Sequence, residues 1–145
     1  MSKYKSEMEI LDLIEKFETA TISREAWSHA EHLTVGLYYL SHHDFDTATS
    51  KMRNGIFNLL TNGFSVDLLK EMPYHETLTV FWMRILDNYL KNKNGNSIAS
   101  KANEVVEMYG KDYPLRFYSR EFLFSEEARA AFVEPDLEPA DKVNN

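Results

Sequence analysis

The stretch that most limits the fold is Leu33-Thr34-Val35-Gly36-Leu37-Tyr38-Tyr39-Leu40. It is apolar almost all round, and it lies inside a helical pattern that the spacing predicts over residues 24–42, with Ser23 as N-cap and Glu25 in the first turn. A helix without a polar face cannot lie on a surface, so the rest of the chain has to surround it.

That cover reads as further helices. Met8, Ile10, Leu11, Leu13, Ile14 and Phe17 recur at helical spacing over residues 5–19. Phe45, Ala48, Met52, Ile56, Leu59 and Leu60 line one side of residues 45–61, with Asp44 as cap and Asn62-Gly63 as stop. Residues 64–72 read as a loop. Pro73 suits the first position of a fourth helix over 74–92, which carries Leu78, Phe81, Trp82, Ile85, Leu86, Tyr89 and Leu90. Ser97 caps a fifth helix that runs to Tyr109, with Gly110 as its stop, and Ser119 and Ser125 cap short helices between 117 and 133. Strand-like alternation is missing. The expected fold is all-α: a single-domain bundle of four to five helices over residues 1–138, with a C-terminal segment packed over it and a polar tail at 139–145.

Composition narrows the class of partner. Of 145 residues, 43% are hydrophobic and 27% charged, which is the make-up of a folded globule. The net charge of −7 argues against a nucleic-acid backbone as partner. No apolar run is long enough for a membrane span, and the lysine-bearing N-terminus lacks the apolar core of a secretion signal. The chain has no cysteine, which removes disulfides, thiolate ligands and cysteine nucleophiles together. A cytoplasmic protein with no nucleic-acid and no membrane partner is expected.

The residues that carry chemistry gather in two stretches. Trp27-Ser28-His29-Ala30-Glu31-His32-Leu33 opens the apolar helix, and Pro73-Tyr74-His75-Glu76-Thr77-Leu78-Thr79 opens the fourth, so three of the five histidines stand at helix starts. His29 and His32 are three apart and share one helix face. With His75 they form a ligand set that leaves open positions on zinc, iron or manganese, and Glu76 beside them suits a fourth ligand or a general base for bound water. Glu25, four residues before His29, is placed to orient that ring as a second-shell carboxylate. Glu31 projects away from His32. The bland alternative is that each is an ordinary helix-start histidine, and His42 and His43 read as surface residues at a helix end. Trp27 and Tyr74 flank the histidines and are candidate ligand contacts. In Arg116-Phe117-Tyr118-Ser119-Arg120-Glu121, Arg120 can clamp a carboxylate or phosphate, with Tyr118 beside it.

These blocks, together with Phe132-Val133-Glu134-Pro135-Asp136-Leu137, resemble a group of small bacterial all-helical proteins that share W-S/T-H-x-x-H-L and Y-H-E-T-L/I-T motifs. The resemblance covers about residues 17–138. The group brings no assigned activity, so the resemblance implies site residues and no reaction. It also implies that Tyr118-Ser119-Arg120-Glu121 and Glu134-Pro135-Asp136-Leu137 belong to the site or its lid. A looser fold-level likeness is to DinB-type helical metalloproteins, whose His-x-x-x-His spacing this chain lacks.

Other chemistries find no footing. The five glycines are scattered and form no phosphate loop, and there is no Gly-x-Ser-x-Gly elbow, no His-Glu-x-x-His helix and no paired Glu-x-x-His. Two expectations follow. The first is a small-molecule metalloenzyme, a hydrolase or oxidase, with His29, His32 and His75 as ligands and Glu76 as base. The second is a non-catalytic ligand-binding or sensor protein that uses the same polar pocket, between the second and fourth helices, without metal. A helical interaction module with structural histidines stands behind both.

Overall fold

The computed structural model describes residues 3–93 and 95–137; the expected tail at 139–145 lies outside them. Among the described residues the secondary structure is helical throughout and contains no strand. In chain order the helices are α1 (Glu7–Glu18), α2 (His29–His42), α3 (Phe45–Asn58), α4 (Glu76–Lys91), α5 (Ile98–Met108), α6 (Arg120–Leu123) and α7 (Glu126–Ala130). A π-helical turn at Leu59–Gly63 ends α3, and a 3-10 turn at Tyr113–Arg116 precedes α6. The all-α expectation holds, and the C-terminal segment does pack over the bundle.

Helix α2 is the central element. Leu33, Val35 and Leu37 are fully buried, and α1, α3, α4 and α5 all lie against it. Gly36 sets how closely α4 approaches: a methyl group there would stand 3.0 Å from Leu86 Cδ1 and 3.1 Å from Met83 Sδ. The expected pocket between α2 and α4 is therefore taken up here by helix–helix packing, with the Leu86 and Met83 side chains of α4 filling the space beside Gly36.

Two boundaries differ from expectation. Helix α2 starts at His29 and not near residue 24, because Ser28 is the N-cap and its backbone N–H donates to Glu31 at 3.1 Å. Helix α4 starts at Glu76 and not after Pro73, because His75 takes the capping role, its Nδ1 accepting from the Leu78 N–H at 3.1 Å. In both cases a polar side chain satisfies an orphan N–H of the first turn, and that decides where the helix begins. Asp44, Ser97, Ser119 and Ser125 cap α3, α5, α6 and α7 as the sequence predicts.

The C-terminal strap, residues 131–137, is tied at both ends. Buried Thr77 at the start of α4 donates its hydroxyl to the Ala131 carbonyl (3.0 Å) and accepts the Val133 N–H (3.1 Å). Asp136 accepts from the Ser119 hydroxyl (2.7 Å) and N–H (2.8 Å), and the Leu137 N–H donates to the Phe117 carbonyl (2.9 Å). Arg84 lies over the Phe132 ring at 4.4 Å and holds the middle.

Candidate functional site

The histidines are separated by what each one bonds. The His29 Nε2–H donates to the Tyr109 carbonyl at 2.9 Å, with its ring tilted against Trp82 at 4.9 Å. Glu25 does not orient it: with α2 starting at His29 the two share no helix face, and Glu25 lies exposed in the preceding turn. His32 stacks on Trp27 at 5.6 Å, and Trp27 stacks in turn on buried Phe17 at 5.0 Å. Burial, with a smaller push from neighbouring His29, drives the His32 imidazole down to about 4, so at neutral pH it is an uncharged ring in an aromatic column. Trp27 thereby belongs to the packing between α1 and α2. His42 and His43 are exposed, as expected.

His75 uses both ring nitrogens. While Nδ1 caps α4, Nε2–H donates to the Leu123 carbonyl of α6 at 2.7 Å. Burial, and secondarily the charge of Arg129, lower its pKa and keep it neutral. A metal at either nitrogen would displace one of these bonds. Among the described residues no three histidine or carboxylate side chains gather in a metal-binding group. The proposed set of His29, His32 and His75 is divided between Tyr109, the Trp27 column and Leu123, and does not fit one ion as arranged.

Glu76 turns away from its neighbour His75, toward α3. Arg53 grips it through two bonds, and the Tyr74 hydroxyl donates to Oε1 at 2.5 Å. Burial alone would raise its pKa, but the bonds from Arg53 and Tyr74 and the Arg53 charge outweigh that and hold it below the usual carboxylate value. Burial and the bond to Glu76 push Tyr74 up to about 12, so it stays a donor. This network forms one wall of a cleft of about 560 Å³. Arg53 and Phe57 come from α3, Met72, Tyr74 and Glu76 from the approach to α4, and Arg129 to Phe132 from α7 and the strap. Phe57 packs on Tyr74 at 4.6 Å. Arg129 reaches across and donates Nη2–H to the Met72 carbonyl at 2.9 Å. A second lobe of about 280 Å³, which Glu126 also lines, adjoins the first at Met72, Tyr74, Arg129 and Ala130.

Of the expected site residues, the cleft brings Tyr74 and Glu76 together and leaves the others elsewhere. Tyr118 is fully buried, and its hydroxyl donates to the Val133 carbonyl at 2.6 Å, so it anchors the strap. Arg120 is exposed at the start of α6 and lines none of these cavities. Of the strap, Ala131 and Phe132 line the cleft, whereas the expected lid residues Glu134-Pro135-Asp136-Leu137 do not. Sequence reasoning missed Arg53 and Arg129. Arg53 has no local signal, since its partner is Glu76, 23 residues on. Arg129 stands in the last turn of the five-residue α7, and its partner, the Met72 carbonyl, lies 57 residues away.

The fold and site together define a small all-α bundle with an arginine- and aromatic-lined cleft closed on one side by a C-terminal strap. No protein-family model matches the chain, and neither curated proteins nor solved structures yielded a match.

Proposed function

We propose that this chain is a non-catalytic small-molecule-binding or sensor protein, and that its ligand occupies the cleft between α3, the approach to α4 and α7. The volume of about 560 Å³ is that of a small-ligand site, with apolar walls and a few converging polar groups. One observation carries the choice of binding over catalysis, namely the state of Glu76. A general base needs a free lone pair toward the substrate and a pKa near working pH. Glu76 has its oxygens taken by Arg53 and Tyr74 and its pKa lowered. It serves instead as a fixed part of the cleft wall.

A fragment screen read by methyl NMR tests this. Saturable shifts confined to Met72, Ala130 and Ala131, with the compounds recovered unchanged, are expected. Turnover of a bound compound, or a screen in which no cleft methyl moves, overturns the proposal. Stoichiometric zinc, iron or manganese in protein purified without a histidine tag, lost in a His29→Ala, His75→Ala double variant, would reinstate the metalloenzyme.

A further inference from the structure

We infer that the ligand of this cleft is a small organic monoanion, a carboxylate carried on an aromatic or branched apolar body and seated on Arg129. The inference rests on reading the cleft as the ligand site. Two guanidinium groups, Arg53 and Arg129, face one carboxylate there, Glu76. Arg53 is consumed: its Nε and Nη2 both donate to Glu76, and the pair forms an ion bridge at 2.6 Å. Arg129 differs. It is half-buried, forms no ion pair among the described residues, and spends Nη2 on the Met72 carbonyl. Nε and Nη1 remain, and a planar fork with spare donors matches a carboxylate.

The surroundings restrict the ligand further. Among the described residues that line the cleft, one cation is left over, and His75 beside Arg129 is neutral, which suits a single negative charge and not a phosphate dianion. Glu126 on the adjoining lobe disfavours a second carboxylate. Around Arg129 the walls are Met72, Phe57, Ala131 and Phe132, so the body must be apolar. A half-buried guanidinium without a counter-ion keeps part of its desolvation cost uncompensated, and a ligand carboxylate would offset it.

Three probes with one body and different heads test the inference: phenylacetate, phenylacetamide and phenethylamine. Each is titrated at neutral pH and low salt while the Met72, Ala130 and Ala131 methyl signals are followed. Phenylacetate is expected to bind about tenfold or more tightly than the amide, and the ammonium compound not at all. Arg129→Gln should remove that preference for the acid, and Arg129→Lys should keep it in weakened form. Should Arg129→Gln fail to fold, the head-group series and Arg129→Lys decide. Binding of the amide or amine at the same methyls as tightly as the acid overturns the anion inference while the cleft stands as a binding site. Undiminished phenylacetate binding by Arg129→Gln overturns it as well. Silence of all three probes overturns it too, and the cleft itself falls only if the wider fragment screen is also blank.

Discussion

Arg53 and Glu76 are joined by two hydrogen bonds, Nε to Oε1 at 2.9 Å and Nη2 to Oε2 at 2.6 Å, which tie the third turn of α3 to the first residue of α4. Both side chains are mostly out of solvent, at 33% and 16% exposure, so the pair lies between the surface case and the buried one. Glu76→Gln should cost about 1–3 kcal/mol, because Arg53 is then left half-buried without its counter-charge. The pH dependence follows from the lowered Glu76 pKa. The stabilisation is complete above the ordinary carboxylate value of 4.5 and is lost as pH falls through the lower folded-state value. Urea midpoints measured over acid pH should fall for the wild type and fall less for Glu76→Gln. Parallel curves would show that the pair contributes nothing to acid sensitivity.

His32 should behave as a half-buried neutral ring. Its pKa lies near 4 in the folded protein against 6.5 when unperturbed. Between those values the unfolded chain binds the proton and the folded chain does not, so stability is highest above pH 6.5 and declines as pH falls. The full effect is about 3 kcal/mol at most. An imidazole NMR titration should show His32 still neutral at pH 5, and His32→Gln should flatten stability across the window. A His32 midpoint near 6.5 would remove the basis for this prediction.

The capping histidine allows a dissection. His75→Ala removes the N-cap of α4 and the bond to Leu123, at a combined cost of about 1–3 kcal/mol. His75→Asn keeps a capping oxygen but is too short for Leu123, so it should recover roughly half of the loss in thermal or urea denaturation. Equal losses in the two variants would place the whole effect in the Leu123 contact.

Two glycines in similar helices should respond differently to alanine. At Gly55 an added methyl would clash with the Phe17 ring, which is fully buried and stacked on Trp27, so the ring cannot retreat. Gly55→Ala should cost about 1–3 kcal/mol from overpacking. At Gly36 the neighbours are the ends of flexible Leu86 and Met83 side chains, near 3.0 Å. There the helix-propensity gain of about 1 kcal/mol offsets most of the crowding, and Gly36→Ala should be close to neutral. Chemical denaturation of both variants gives the rank order, and a reversal would contradict it.

Thr77 links the strap to the cleft. Thr77→Val has nearly the same shape but deprives the Ala131 carbonyl and Val133 N–H of their partner, at a cost of about 1–2 kcal/mol. Because Ala131 and Phe132 line the cleft, ligand affinity should drop alongside stability. Faster hydrogen exchange at Val133 and Leu137 with unaltered exchange in α2 would localise the effect to the strap.

The sequence by itself determined the helical character, the central place of α2, the caps at Asp44, Ser97, Ser119 and Ser125, and the strap over the bundle. These follow from local rules: apolar periodicity selects a buried face, and a short polar side chain satisfies the first N–H groups of a helix. Glu76 and Tyr74 were legible as site residues because they stand beside a helix start. Their role was not, since it depends on Arg53 from another helix. Tertiary structure alone decided that His75 spends both nitrogens on Leu78 and Leu123 and that His32 lies in the Trp27 column. It also brought Arg129 across to the Met72 carbonyl, which left that guanidinium facing the cleft. The physical reason is that a side chain's chemistry is set by which donors and acceptors reach it, and those partners come from 57 residues away for Arg129 and 80 for His29.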